Sequence, residues 1–346
     1  MQRNQNITKI KTLIEDAENI VVVPHVNPDG DGIGASTALC KLFVAIGKNS
    51  LVAIPNTPPA YLIWLAEGIQ ALCYDKEEDA NSIEESISKA DLLVVTDFND
   101  VTRAGKLRSL IEAYEGKTIA IDHHPISDTQ WTESLIEPGE CATCAVIYKL
   151  LINIGLSGYL STNIAESLYA GLLTDTGNFS HGINSSMPYK VAGSLIEKGI
   201  NHQKVIENLF HQEKLSSLRL RGFCLNEKLV IIEELRTAYI CLTYEELSKF
   251  EFEPGDLEGI VNYPLAVRGI KMSALFTEQQ EGQTKISLRS KGDFAVNGIA
   301  SKLYNGGGHK NAAGAKQYHP PEKVLTRFLK EIPNYKNELH KINADW

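Results

Sequence analysis

From residue 19 to about 175, short β-branched runs alternate with longer stretches of helical spacing. The runs IVVVP (20–24), LVAI (51–54), LLVVT (92–96) and TIAI (118–121) read as buried strands. Helical patterns cover roughly 33–46, 81–90, 103–114, 140–154 and 161–173. Strands and helices in alternation predict an α/β domain, a mostly parallel sheet with helices on both faces. In such sheets ligands bind beyond the carboxyl ends of the strands. Residues from about 186 to 227 read as helices with little strand character. The texture then changes: LVIIEEL (229–235), TAYICLTY (237–244), KMSALFTEQ (271–279) and TKISLRS (284–290) alternate like strands separated by short loops. A helical pattern, FAVNGIASKLY, leads into Gly306-Gly307-Gly308. The expected division is a first domain over 1–212, a helical linker over 213–227 and a smaller α+β domain over 228–346.

The length of 346 residues supports two domains, because single cores stop growing beyond about 250–300 residues. With 43% apolar and 22% charged residues, the composition is that of a globular protein. No apolar run approaches the roughly 18 residues of a membrane span, and MQRNQNITKIKTLIEDAEN lacks a signal-peptide core. These features, with six cysteines that form no disulfide framework, predict a cytoplasmic protein without membrane attachment. Cys141-Ala-Thr-Cys144 has no second pair to complete a metal site and reads as the start of a helix. A net charge of −9 argues against strong binding to long nucleic-acid duplexes, which draw on many basic contacts.

The first strand runs into HVNPDGDGIGAS (25–36), where His25, Asp29 and Asp31 crowd among glycines. An EF-hand loop is excluded because Ala38 stands where the bidentate Glu belongs, and a strand precedes the segment instead of a helix. A plain turn is the other reading of this stretch alone. Two more strands decide between them, since LLVVTD ends in Asp97 and TIAIDHH ends in Asp122-His123-His124. A further acid, Asp175, follows the apolar stretch SLYAGLL. Burying Asp29, Asp31, Asp97 and Asp175 together is costly unless cations compensate. Two divalent ions would cancel the four charges, with neutral His25 and His123 completing the ligand shells. Paired metals about 3.5–4 Å apart are a recurring clamp for in-line attack on phosphorus.

In order, spacing and strand context, His25-x-x-x-Asp29-x-Asp31, Asp97, Asp122-His123-His124 and the Asp175 of TDTGNF resemble the four motifs of the DHH phosphoesterase superfamily. The match covers roughly residues 20–180. Gly306-Gly307-Gly308-His309, followed by NAAGA, resembles the glycine-rich signature of the DHH-associated substrate domain. Size and architecture are similar to the stand-alone nanoRNase/pAp phosphatases, also called exopolyphosphatase-like. The resemblance implies a catalytic first domain in which His25 and Asp29 hold one metal. Asp31, His123 and Asp175 hold the other, and Asp97 bridges the two. It also implies that His124 faces the substrate phosphate and that Asp122 orients a neighbouring imidazole or backbone group. A ligand set mixing imidazoles with carboxylates suits Mn²⁺ better than Mg²⁺ or Zn²⁺.

Residues 265–310 carry seven basic against three acidic side chains, a basic island on an acidic chain. Two readings stand: a solvated strand face, or a pocket for an anion. The triple glycine after a helix is either a C-cap or a backbone that lets N–H groups approach a phosphate. On the second reading Arg268, Arg289, Gly306, Gly307, Gly308 and His309 bind substrate. The expected substrates are short single-stranded oligoribonucleotides, linear dinucleotides or adenosine 3′,5′-bisphosphate. Rival expectations are pyrophosphate or polyphosphate, a RecJ-type exonuclease substrate, or a nucleotide sensor without turnover. A homodimer is compatible with all of them. Arg103 is expected either to pair a carboxylate near Asp97 or to sit solvated, and Asn178 and Phe179 to line the cleft. His181, His202 and His211 receive no role.

Overall fold

The computed structural model describes residues 2–180, 182–212, 214–253 and 255–341, so His181 lies outside the described residues. The chain divides into two compact units, 1–212 and 213–346. The first unit runs α1 (Gln2–Asp16), β1 (Asn19–Pro24), α2 (Gly30–Ala45), β2 (Asn49–Ile54), β3 (Gln70–Cys73) and α3 (Glu77–Lys89). It continues with β4 (Leu92–Thr96), α4 (Arg108–Glu112), β5 (Lys117–Asp122), β6 (Glu133–Ile136), α5 (Thr143–Asn153), α6 (Thr162–Asp175), α7 (Met187–Ile196) and α8 (His202–Phe210). All six strands are parallel, in the order β3-β2-β1-β4-β5-β6.

The central strands have no solvated face. Ile20 and Val22 of β1 join Leu92 and Val94 of β4 in a core completed by Ile33 and Leu39 of α2, Ile147 of α5 and Leu168 of α6. Val21, Val23, Leu93 and Val95 point the other way, onto Ile83 and Ile87 of α3 and Ile111 of α4. Two-sided burial explains why these strands are apolar at successive positions rather than alternate ones. The helical pattern at 103–114 resolves into a 3-10 turn over Val101–Leu107 and then α4, broken where Gly105 takes φ 57°.

The second unit begins with α9 (Leu215–Phe223), whose Leu220 is buried with Ile240, Leu242 and Leu275 in that unit's own core. There follow β7 (Leu229–Ile232), β8 (Thr237–Leu242), α10 (Tyr244–Ser248), β9 (Met272–Gln280) and β10 (Gln283–Ser290). Next come α11 (Asn297–Tyr304), β11 (Gly307–His309), β12 (Ala312–Gln317), α12 (Pro321–Glu331) and α13 (Lys336–His340). Its mixed sheet has the order β11-β12-β10-β9-β8-β7, parallel between β8 and β9 and antiparallel elsewhere. Met272, Phe276, Ile286 and Leu288 on one face pack with Ile299 of α11 and Phe328 of α12. Among the described residues no helix is long and apolar enough to cross a membrane.

Candidate metal centre

The winding of the first sheet reverses between β1 and β4, and at such a switch point the loops beyond the strands diverge and leave a crevice. His25 directly follows β1, Asp97 follows β4 and His123 follows β5. Asp97 adopts φ 62°, a left-handed conformation that costs a non-glycine residue free energy and is concentrated at functional sites. Its backbone stays anchored: the N–H donates to the Ile121 carbonyl at 3.0 Å, and its carbonyl accepts from Arg103 Nη1 at 3.2 Å. Arg103 therefore supports this loop through a carbonyl rather than a carboxylate. Asp29 caps α2, its Oδ1 accepting from the N–H groups of Asp31 and Gly32 at 3.0 Å each. Asp175 closes α6.

These ends converge. Ligand atoms of His25, Asp29 and Asp97 lie within 4.8 Å of one another, as do those of Asp31, His123 and Asp175, and those of Asp97, His123 and His124. His25 Nε2 stands 3.2 Å from Asp97 Oδ2 and 3.7 Å from Asp29 Oδ1. His123 Nε2 stands 3.3 Å from Asp175 Oδ2 and 3.6 Å from Asp97 Oδ1. Each ring is held at its other nitrogen: His25 Nδ1 lies 2.9 Å from the Val26 carbonyl and His123 Nδ1 3.1 Å from the Glu140 carbonyl. A carbonyl only accepts, so a neutral ring carries its proton on Nδ1 and turns the Nε2 lone pair toward carboxylate oxygens. For His25 the outcome is a buried Nε2 with no hydrogen bond. Lone pairs facing lone pairs repel unless a cation lies between them. Oxygen and imidazole donors in this arrangement fit a divalent ion.

The electrostatics agree. Burial, and then the Asp97 charge, push Asp31 up to about 7. Burial and the neighbouring Asp31 and Asp97 hold Asp175 well above the usual carboxylate range. Burial alone would lower His25, yet the neighbouring Asp29 and Asp97 carboxylates raise it to about 10. Without metal the cluster retains protons where its geometry asks for cations. Beside it, His124 Nδ1 lies 2.8 Å from Asp122 Oδ1, and Asp122 is completely buried. Burial would raise Asp122, but the His124 imidazole, the His124 N–H and Asn99 hold it down to about 2.

In the second unit, Ser273, Arg289, Ala312 and His309 are directly opposed across β9, β10, β12 and β11. Opposed residues share a sheet face, so Arg289 and His309 lie on one face two strands, about 10 Å, apart. Arg289 is largely covered, which presses its pKa below the ordinary value, and among the described residues it forms no ion pair. Its Nη1 donates to the Leu288 carbonyl at 3.1 Å, and the Ser273 hydroxyl in the same row is buried without a hydrogen bond. The triple glycine does not sit in a cap, because the C-cap is Asn305, with φ 53°. Gly306 and Gly308 are required by packing: a Cβ on them would lie 2.2 Å from the Gly314 carbonyl and 2.5 Å from that of Ala312. Gly307 has open space beside it. Arg268 is exposed on the turn before β9 and outside this row.

Comparison with known proteins identifies the architecture. The DHH family N-terminal domain matches residues 19–172 and the DHHA1 domain residues 237–338. The chain belongs to the DHH family. It is a metal-dependent phosphoesterase by that membership and by the His/Asp cluster. It is 28% identical to the bifunctional oligoribonuclease and PAP phosphatase NrnA of Bacillus subtilis, covering 90% of this chain and 93% of that protein. Against NrnA of Thermus thermophilus the identity is 29%, with coverage of 86% and 83%. The crystal structure of an exopolyphosphatase-related protein from Bacteroides fragilis superposes with a TM-score of 0.92 at 32% identity, covering 97% of this chain and 98% of that one.

Two residues of this DHH centre are invisible to motif reading. Asn99 is buried, donates from Nδ2 to Asp122 Oδ2 at 2.6 Å and to the Pro125 carbonyl at 3.0 Å, and accepts from Ser127 N–H at 2.7 Å. It thereby ties the loop after β4 to the loop after β5. Thr143, at the start of α5, donates its hydroxyl to Asp97 Oδ1 at 2.9 Å and its N–H to Asp31 Oδ2 at 2.6 Å. Cys144 N–H donates to Asp31 Oδ1 at 3.0 Å, so the first turn of α5 grips both oxygens of that carboxylate. Of the Cys141–Cys144 pair only Cys144 supplies one of these backbone donors, and both cysteines are buried and outside any disulfide. Gly171 of α6 lets the helices approach: a Cβ there would meet Cys144 Sγ at 2.3 Å and Asp31 Oδ1 at 2.7 Å. Gly171→Ala is expected to lower Tm by roughly 3–10 °C through overpacking and to weaken divalent-metal binding as Asp31 is displaced. Thermal melts and a metal titration check this; wild-type values for both would contradict the assignment.

Proposed function

We propose that the chain hydrolyses short oligoribonucleotides and linear dinucleotides, and removes the 3′-phosphate of adenosine 3′,5′-bisphosphate, at a two-metal centre in its first unit. The observation that carries the reading is the pair of three-residue groups, His25/Asp29/Asp97 and Asp31/His123/Asp175, with His25 Nε2 buried and unbonded between carboxylates. On this reading His25 and Asp29 would hold one ion, Asp31, His123 and Asp175 would hold the second, and Asp97, which lies close to both groups, would serve both. The mixed imidazole and carboxylate donors favour Mn²⁺. Two divalent ions in such a site activate water and neutralise charge on phosphoryl oxygens.

The chain's own groups do the remainder. Asp122 has no exposed surface and acts through His124, whose Nδ1 it engages, leaving the partly exposed imidazole to meet a phosphoryl oxygen through Nε2. Thr143 and the α5 N-terminus hold Asp97 and Asp31 in place, so little reorganisation accompanies the reaction. In the second unit Arg289 and His309, with the open backbone at Gly307, suit a substrate phosphate, Gly306 and Gly308 give the backbone there its close packing, and the exposed Arg268 adds positive charge to that unit. Similarity over nearly the full length to proteins named oligoribonuclease and PAP phosphatase supports the nucleotide substrates. The name of the Bacteroides fragilis protein keeps polyphosphate as the second reading.

One Mn²⁺ panel of initial rates separates these: adenosine 3′,5′-bisphosphate, a ribodinucleotide, a longer single strand, a cyclic dinucleotide and pyrophosphate. The ribodinucleotide and the bisphosphate are expected to be hydrolysed fastest. Rapid pyrophosphate turnover with negligible nucleotide hydrolysis would overturn the reading.

A further inference from the structure

Immediately after Asp175 the chain makes an unusual turn. Gly177, Asn178 and Phe179 have φ of 53°, 54° and 63°, three successive left-handed residues. Glycine and asparagine tolerate this region, whereas a bulky aromatic residue is an outlier there. The turn is held by Asn178 N–H on the Leu173 carbonyl at 2.7 Å, Phe179 N–H on Thr176 Oγ1 at 3.0 Å and Ser180 N–H on the Thr176 carbonyl at 2.9 Å. Thr176 is itself buried. The conformation of Phe179 is thus fixed by the same helix end that presents Asp175 to the metal cluster.

The fixed ring is not simply tucked away. Phe179 packs one side against the core of the first unit, and the Tyr189 ring of α7 lies nearly parallel to it, with centroids 5.1 Å apart and planes at 22°. Tyr189 is 52% exposed, so the stack presents an aromatic surface to solvent. Core packing accounts for the buried side of Phe179. It requires neither the strained backbone nor a second ring laid flat on the outer side.

We propose that the Phe179–Tyr189 stack is a platform for a nucleobase of the substrate, the base belonging to a nucleotide next to the phosphorus under attack. The proposal rests on the phosphoester reading of the cluster and names how that site recognises nucleotides. A flat aromatic face accepts any base, because every base has a π-face, and two rings already stacked lose little freedom when a third joins them. Such a platform favours single-stranded and short substrates, whose bases can unstack from their neighbours.

The test compares the full chain with Tyr189→Ala and Tyr189→Phe, all loaded with Mn²⁺, on a diadenosine ribodinucleotide and on the same linkage between riboses lacking bases. Tyr189→Ala is expected to raise KM for the dinucleotide roughly 5- to 100-fold with kcat nearly unchanged. Tyr189→Phe keeps the ring and is expected within twofold of wild type. KM for the base-free compound is expected to be the same in all three proteins. A Tyr189→Ala protein with wild-type KM for the dinucleotide, or with equal rises on both compounds, overturns the platform while leaving the phosphoester reading intact. A wild-type protein that turns over pyrophosphate but neither linkage overturns both. Tyr189 is exposed, and a melting temperature within a few degrees of wild type shows that the variants fold.

Discussion

Asp97→Asn is expected to reduce phosphoester hydrolysis by at least about a thousand-fold, more than any other single substitution in the cluster. Asp97 lies in two of the three close ligand groups, beside His25 at 3.2 Å and beside His123 at 3.6 Å, so its charge serves both halves of the centre. Asparagine matches it in shape and retains an oxygen for the Thr143 hydroxyl that now meets Oδ1 at 2.9 Å. The backbone bonds to Ile121 and Arg103 are untouched by the change. The variant should therefore fold, with a metal-free Tm within a few degrees of wild type. It should lose most of the Tm increase that Mn²⁺ gives the wild-type protein, because one negative charge has left a site built to offset two divalent ions. Activity within tenfold of wild type, or an undiminished response to Mn²⁺, would place the bridging role elsewhere.

The parts of this arrangement that sequence alone reveals are those written as composition. Central strands such as IVVVP and LLVVT are apolar because both faces are covered, and acids ending them stand out against that background. Three of the four edge strands do not announce themselves: β3 (QALC), β6 (ESLI) and the glycine-rich β11 carry few large apolar residues, and each borrows its register from one neighbour. The break at Gly105 is likewise hidden inside a helical pattern. Only the contact shows it, since a Cβ there would lie 2.7 Å from Val26 Cγ2. In the cluster, charged and imidazole ligands are legible by type and position. Thr143 and Asn99 are not, because each works through a hydrogen bond to a carboxylate 46 or 23 positions away. Helix starts rich in small polar residues are common, and nothing local marks one that grips a distant aspartate.

The second large effect is a dependence of stability on pH that metal reverses. A group whose pKa is higher in the folded than in the unfolded chain keeps its proton longer when folded, so stability falls as pH rises through the gap. For Asp31 the gap runs from the ordinary carboxylate value to about 7, and for His25 from the ordinary imidazole value to about 10. Asp122, held down to about 2, acts in the opposite sense, but its stabilisation is complete above the ordinary carboxylate range and stays constant between pH 5 and 8. Metal-free protein, prepared with a chelator, is accordingly expected to melt at a lower temperature at pH 8 than at pH 5.5. Divalent ions displace the protons that the empty cluster retains, so they bind more tightly as pH rises. At a hundredfold excess over its dissociation constant a ligand adds about 2.7 kcal/mol, which corresponds to a Tm increase of roughly 5–10 °C for a unit of this size. Mn²⁺ is thus expected to raise Tm by that amount at pH 8 and by much less at pH 5.5. A metal-free Tm that climbs over this interval, together with an Mn²⁺ increment equal at both ends, would show that the buried carboxylates are not held apart by cations. This pH and metal response turns on charge alone and is independent of which nucleotide is cleaved.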